Sequence, residues 1–136
     1  MEDRFKFRAY FIPEEYYVKI TQLNFDAEGN ITEIKFIKPK SVNPGGSEYI
    51  CYQDQLNKFV FEQCTGLKDK NDKLIYEGDI VETHDYTTEH SQIVFDKGCY
   101  VLKSKDVAIY DHLSSYEKQC EIIGNIHENP ELLEEE

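Results

Sequence analysis

Short apolar runs, each ended by turn residues, are the feature that most constrains the fold of this chain. The first run alternates between two sets of side chains, with Phe5, Phe7 and Ala9 on one side and Arg4, Lys6, Arg8 and Tyr10 on the other. A period of two predicts a half-buried strand. Pro13 ends the strand, because proline cannot donate to the hydrogen-bond ladder.

The same pattern recurs as pairs of strands joined by turns. Tyr16–Phe25 and the run from Ile31 to Lys38 are rich in β-branched and aromatic residues, and Gly29 and Asn30 between them both tolerate a positive φ. This arrangement predicts a β-hairpin. Two further hairpins are predicted around the turns at residues 69–72 and 96–98, with Gly66 breaking the strand before the first of these turns.

The C-terminal part of the chain predicts two more strands and two short helices. The strands span Val107 to Tyr110 and Cys120 to Ile126, and the first helix spans Leu113 to Lys118. At the end of the chain, Asn129 is a favourable N-cap residue and Pro130 suits the first helical position, which predicts a short terminal helix.

Many short strands separated by turns predict an all-β fold, barrel-like or sandwich-like, with a short C-terminal helix. The length of 136 residues suits one domain over residues 1–136. Within it we predict possible sub-modules at residues 1–56, an N-terminal hairpin region, and 57–130, a barrel-like region. Residues 131–136 form an acidic tail.

Charge and cysteine content limit the functional class. The formal charge is −12, from 27 acidic and 15 basic side chains, and it disfavours nucleic-acid binding over the whole surface. No apolar run approaches the roughly 18 residues of a membrane helix, and no signal-peptide pattern opens the chain. The widely spaced Cys51, Cys64, Cys99 and Cys120 predict thiols in a reducing compartment. We expect a soluble cytoplasmic protein.

Carboxylates near the middle of the sequence suggest a metal site or a general acid–base. The acidic and amide residues of this segment are Asp69, Asn71, Asp72, Glu77 and Asp79. They fail the EF-hand pattern, because Lys73, Leu74 and Ile80 stand where calcium ligands and a glycine are required. A polar hairpin followed by a bend at Gly78 explains them better, with the flanking carboxylates accepting backbone N–H groups. The alternative is a metal-dependent hydrolase that uses Glu77 or Asp79.

Histidines and cysteines give no catalytic constellation. The four histidines, His84, His90, His112 and His127, lack the local spacing of a zinc site, and we expect them at or near the surface. His84-Asp85 and Asp111-His112 resemble fragments of metal phosphohydrolases without the other ligands. Cys99 lacks a neighbouring base that would lower its pKa. We therefore predict no catalytic residue, no metal and no cofactor.

A basic and aromatic strand face is the remaining candidate for binding. Arg4, Lys6, Arg8 and Tyr10 share one face of the first strand, and Glu77 and Asp79 complete our set of candidate binding residues. Such a face could hold single-stranded nucleic acid. A solvated face that pairs with surplus acids is the favoured interpretation, because a nucleic-acid surface is normally net basic.

Four ordered blocks of sequence resemble the YopX family of phage and prophage proteins. The most characteristic runs from Gln63 to Val81 and includes TGLKDKNDKLIYEGDIV; the others are Arg4–Ala9, Val94–Gly98 and Ile122–Leu132. Tyr10 stands where the family usually has Trp, and Cys64 where it often has Tyr. Asp72 replaces a common turn glycine, which predicts a left-handed Asn71 or a longer loop.

The resemblance implies two curved antiparallel sheets, a homo-oligomer and a gene carried by a phage or prophage. It carries over no catalytic residue. We therefore expect a small, non-enzymatic, self-assembling binding protein in the cytoplasm of a bacterial host cell. Two alternatives remain open: a nucleic-acid-associated protein or acidic DNA mimic, and the metal-dependent hydrolase.

Overall fold

A computed structural model describes residues 6–42, 44–84, 88–104 and 111–134, with Thr88 described by its backbone alone. Eleven strands lie in these residues: β1 (Phe7–Phe11), β2 (Tyr16–Phe25), β3 (Ile31–Ile37), β4 (Glu48–Tyr52), β5 (Phe59–Lys68), β6 (Leu74–Tyr76), β7 (Asp79–His84), β8 (Thr88–Asp96), β9 (Cys99–Lys103), β10 (Asp111–His112) and β11 (Glu121–Asn125). They form two antiparallel sheets, and in the described residues neither sheet closes into a barrel. The predicted mainly β fold is confirmed.

The helices of the described residues are all short 3₁₀ turns. They span Ile12–Glu14, Gln53–Lys58, Leu113–Tyr116 and Pro130–Leu133. The last of them is the predicted short C-terminal helix.

The chain divides into two compact units. The N-terminal unit is residues 7–61, and the C-terminal unit is residues 1–6 with 62–136. The division falls inside β5, whereas the sequence suggested sub-modules that divide at residue 56.

In the N-terminal unit, four strands lie in the order β4-β3-β2-β1. The predicted hairpin of β2 and β3 is present, with Leu23 paired to Ile34. Its turn is held by the Asp26 carboxylate, which accepts the N–H groups of Glu28 and Asn30 at 2.9 Å.

The core of the N-terminal unit consists largely of aromatic and β-branched side chains. Its buried members are Ala9, Phe11, Val18, Ile34, Phe36 and Phe59. The ring centroids of Phe11 and Phe36 lie 5.1 and 5.2 Å from that of Phe59, within the range of favourable aromatic pairs. Because Phe11 of β1 and Phe36 of β3 both contact Phe59, the apolar residues of these two strands face the same core.

In the C-terminal unit, five strands lie in the order β10-β9-β8-β7-β11, and β5 pairs with β6. The predicted hairpin of β8 and β9 turns at Lys97 and Gly98, whose φ angles are +51° and +87°. Two successive positive φ angles match the right-handed twist of the strands, which is why a glycine is favoured here. The core of this unit is Ile75, Val81, Ile93, Leu102, Leu113 and Cys120.

Several local predictions are wrong in detail. Gly66 does not end its strand: β5 continues to Lys68, with φ of +83° at Gly66 and a register shift between Cys64 and Lys68. Asn129 and Pro130 do stand at the predicted N-cap and first position of the last 3₁₀ helix, but the Asn129 side chain makes no capping bond. Its oxygen accepts the Asn125 N–H at 3.2 Å instead.

Other predictions fall outside the described residues. They are Arg4 and Phe5 of the first strand, Asp85, the strand from Val107 to Tyr110, and Glu135 and Glu136 of the acidic tail.

Candidate functional site

Asp69 has a structural part in the characteristic motif. Its side chain is fully buried. One carboxylate oxygen accepts the N–H groups of Asn71 and Lys73, both at 2.9 Å, and the other accepts the N–H of Ile122 at 3.0 Å. Three backbone donors therefore occupy the oxygens that a cation would need. The carboxylate closes the turn and ties it to β11.

Asp72 lies outside this buried arrangement. It takes the left-handed conformation itself, with φ of +67°, so the prediction of a left-handed Asn71 is wrong. Asp tolerates this region better than most residues because its short polar side chain can bond locally. Its exposed carboxylate lies 3.7 Å from the Lys68 amine and 3.8 Å from the Lys118 amine.

Glu77, Gly78 and Asp79 form a tight bend before β7. The Asp79 side chain is 3% exposed and accepts the Tyr76 N–H at 2.8 Å, while Glu77 accepts the Gln63 N–H at 3.4 Å. Gly78 has φ of +90°, a conformation that glycine adopts at little cost. The flanking carboxylates thus serve backbone donors at the bend.

A hydrogen-bonded contact between a buried glutamate and a histidine beside this bend was not predicted from the sequence. Glu62 is 3% exposed, and its carboxylate lies 2.9 Å from the His127 Nε2 atom. A Cβ atom at Gly78 would lie 2.9 Å from the Glu62 carboxyl carbon, so the glycine leaves space for this side chain. One signal was present: in the run KFVFEQC, Glu62 shares strand parity with the apolar Cys64.

The remaining histidines lie mainly at the surface. His84 and His90 each place Nε2 3.1 Å from a carboxylate oxygen of Glu82. These hydrogen bonds, that of His90 first, lower the pKa of Glu82. The second ring nitrogen of His90 lies 3.0 Å from the Leu132 carbonyl oxygen, and His112 is exposed.

The cysteines carry thiols rather than disulfides, and all four lie in described residues. Cys64 and Cys120 are buried, while Cys51 and Cys99 are half-buried. Burial, with the Asp69 charge as a smaller cause, raises the pKa of Cys120 to about 11, so this thiol resists ionisation. The Cys99 thiol donates a 3.5 Å hydrogen bond to the Asp96 carbonyl.

Metal-binding clusters and membrane-spanning helices are both absent from the residues that the structure describes. Across 6–42, 44–84, 88–104 and 111–134, no group of three His, Cys, Asp or Glu side chains could hold a metal ion. In those ranges no helix has the length and apolar character needed to cross a membrane.

Two residues of the predicted basic and aromatic face, Arg8 and Tyr10, belong to the N-terminal unit. Arg4 is not described, and Lys6 is exposed. The Arg8 guanidinium lies 4.6 Å from the centre of the Tyr17 ring, and the Tyr10 ring contacts Tyr17 edge-on with centroids 5.1 Å apart. Because Tyr10 is only 7% exposed, it is not available to stack on a base.

Exposed apolar side chains are concentrated in the N-terminal unit. Of the large apolar residues described as exposed, Ile12, Phe25, Val42, Tyr49, Ile50 and Tyr52 lie in this unit, and Phe95 lies in the other. Three of the six belong to β4, an edge strand. Beyond a general richness in tyrosine, no sequence signal marked this strand as an edge.

Net negative charge, in contrast, is concentrated in the C-terminal unit. Residues 7–61 contain six basic and seven acidic side chains, for a net charge of −1, which leaves −11 of the total −12 on the C-terminal unit. Interface cores are depleted in charged residues and enriched in aromatic ones, so the nearly neutral unit suits protein contact better than the acidic unit. The N-terminal unit is therefore the best candidate for binding.

Comparisons with known proteins identify relatives over nearly the whole chain. The family model described as YopX protein matches residues 6–134. The crystal structure of protein EF1440 from Enterococcus faecalis is 31% identical, with a TM-score of 0.61, and the match covers 94% of this chain and 96% of that one. The crystal structure of protein yopX from Bacillus subtilis is 19% identical, with a TM-score of 0.60 and coverage of 93% and 96%. No curated protein sequence matches the chain.

Proposed function

The chain belongs to the YopX protein family, and we propose that it is a small phage-encoded accessory protein that acts by binding and self-assembly rather than by catalysis. The observation that carries the proposal is the division of surface character between the two units. Six exposed large apolar side chains lie on a unit with a net charge of −1. A chain of charge −12 associates with itself most readily through a face where repulsion is weakest.

The non-enzymatic part of the proposal is supported by the state of the acidic residues. Asp69 and Asp79, two candidates for metal binding or acid–base chemistry, are buried and accept backbone N–H groups. Glu77 also accepts a backbone N–H. These bonds give the carboxylates a part in the fold that needs no substrate.

The cellular location is part of the same proposal. Reduced cysteines, two of them buried, suit a reducing compartment. We place the protein in the cytoplasm of a bacterial host cell.

Light scattering coupled to size-exclusion chromatography tests self-assembly. Across micromolar concentrations, the measured mass should exceed the 16.0 kDa of one chain and rise with concentration. A constant mass of one chain would refute self-assembly. Calorimetric titration with magnesium, manganese and calcium should give no binding heat, and saturable binding of any of them would revive the hydrolase alternative.

A second candidate function follows from the charge of the C-terminal unit. With −11 of the net charge, this unit could occupy the basic surface of a DNA-binding protein, as a DNA mimic does. Such binding would be strongly dependent on salt. The test is capture of basic proteins from a bacterial lysate at low and at high salt, with gel shifts on DNA and RNA as the complementary assay. Direct nucleic-acid binding in the gel shift would contradict the mimic.

A further inference from the structure

We propose that β4 is the self-association surface and that it pairs antiparallel with β4 of a second copy, about a two-fold axis at Ile50. This inference rests on the proposed function, because it assigns a surface to self-assembly. It is carried by the position, exposure and charge of the strand Glu48–Tyr52.

β4 has one partner strand. Its residues pair with β3 from Glu33↔Tyr52 to Ile37↔Glu48. β4 lies at one end of the strand order of its sheet, so in the described part of the chain no strand pairs with its other edge. An edge strand presents a row of backbone N–H and C=O groups that can extend the sheet with another chain.

The side chains of β4 favour such an extension over exposure to water. Tyr49, Ile50 and Tyr52 are 39%, 43% and 56% exposed. Natural edge strands are usually protected by proline or by charged side chains, lysine above all. β4 has one such residue, Glu48 at the first of its five positions, EYICY.

The core face of β4 is already held in place. Tyr49 stacks on Phe36 with centroids 5.6 Å apart, and the Lys38 amine lies 4.7 Å from the centre of the Tyr49 ring. Cys51 packs against the core of the N-terminal unit. The strand is therefore preorganised, which lowers the entropic cost of pairing.

The order of residues in β4 suits pairing with itself. Ile50 is the middle residue, so an axis there pairs all five positions: Ile50 with Ile50, Tyr49 with Cys51, and Glu48 with Tyr52 of the second copy. The one charged residue, Glu48, then faces a tyrosine rather than another Glu48. Like charges directly opposite each other would destabilise the pair.

The charge distribution indicates that the partner strand belongs to a second copy of the chain. Two copies of a chain with charge −12 meet with least repulsion through units of charge −1. The symmetric register of EYICY and the near-neutral surroundings together favour a second copy over a foreign strand. An isologous contact of this kind closes as a dimer.

Charge substitutions at the axis give the sharpest test. Ile50→Lys places two like charges opposite each other and removes two apolar side chains from the contact, which together should weaken self-association by about tenfold or more. Ile50→Glu should do the same alone, but an equal mixture of the two variants should regain association, because each lysine then faces a glutamate. Phe95→Lys is the matched control: it changes another exposed apolar residue, 54% exposed, in the C-terminal unit, and should leave the mass unchanged.

Cysteine cross-linking tests the register. Ile50→Cys should form an intermolecular disulfide on mild oxidation, because residues opposite each other have Cβ atoms about 5 Å apart. Tyr52→Cys should not cross-link, since the two copies of residue 52 would lie about 13 Å apart along the strands. The wild type, which keeps Cys51 and Cys99, sets the background.

The outcomes separate the two proposals. Oligomers that Ile50→Lys leaves intact would overturn the assignment to β4 and leave self-assembly standing. Dissociation by Ile50→Lys without recovery in the mixture, or without the Ile50→Cys cross-link, would overturn the two-fold register. A wild type that stays monomeric would overturn self-assembly and this inference together.

Discussion

Replacing Asp69 by asparagine tests the claim that the acids of the characteristic motif are structural. In the wild type, one carboxylate oxygen accepts two N–H groups of the turn and the other accepts the Ile122 N–H. An asparagine can keep its oxygen toward the turn. Its amide group must then face the Ile122 N–H, donor against donor, where a 3.0 Å hydrogen bond existed.

The expected cost follows from that one lost contact. A hydrogen bond to a charged group contributes about 1.5–3 kcal/mol, and a buried donor left without an acceptor costs about 1–3 kcal/mol. Burying a neutral amide in place of a carboxylate offsets part of this loss. We expect Asp69→Asn to lower the free energy of unfolding by about 2–3 kcal/mol. Asp69→Ala, which removes all three bonds, should cost about 3–5 kcal/mol.

Urea denaturation followed by circular dichroism measures this change, and amide hydrogen exchange at Ile122 locates it. Asp72→Asn is the matched control, because Asp72 belongs to the same turn but is exposed and makes none of these bonds. Asparagine also tolerates its positive φ, so the change should stay within about 0.5 kcal/mol. The reasoning is refuted if both variants unfold alike and Ile122 keeps its protection. A divalent cation that stabilises the wild type but not Asp69→Asn would also refute it.

Two further predictions concern the C-terminal unit. Gly78→Ala should destabilise the protein by more than about 2 kcal/mol, because alanine has both an unfavourable positive φ and a Cβ atom that crowds Glu62. The control Gly98→Ala, with a similar φ but nothing within 4 Å of the added Cβ, should cost only about 1 kcal/mol. Equal losses of stability in thermal melts would contradict the crowding at Gly78. The pKa of Glu82 in the folded protein lies below the ordinary value of 4.5. The ionised side chain therefore stabilises the fold above pH 4.5, and this stabilisation is lost as the pH falls through the folded pKa. Glu82→Gln should therefore flatten the acid limb of a stability–pH curve below about pH 5, whereas the same change at the exposed Glu89 serves as control; an unchanged acid limb in Glu82→Gln would count against the histidine contacts.

Local sequence signals predicted most of the secondary structure. Strand β2 begins and ends where the apolar run does, and the hairpins at Gly29 and Gly98 turn where glycine permits a positive φ. The errors lie where a local signal has two solutions. Gly66 can end a strand or form a bulge within it, and the Asn129 side chain can cap a helix or bond to Asn125. Contacts with neighbouring segments decide which alternative forms.

The candidate site was less predictable. The sequence showed that the acids at 69–79 suit turns, but it could not show that Asp69 reaches an amide 53 residues away. It did not single out Glu62, because a lone glutamate in a strand is usually solvated. Its histidine partner is 65 residues away in sequence. The burial of Tyr10 likewise depends on its contact with Tyr17 in the neighbouring strand.

The sequence by itself therefore determined the family, the mainly β class and the positions of the turns, since periodicity and turn chemistry act between residues close in the chain. Only the tertiary structure decided which carboxylates are used by backbone donors and which strand is left at an edge with exposed apolar side chains. Both depend on contacts between segments far apart in sequence. The division of charge, −1 on one unit and −11 on the other, is written in the sequence but gains its meaning only when folding defines the two units.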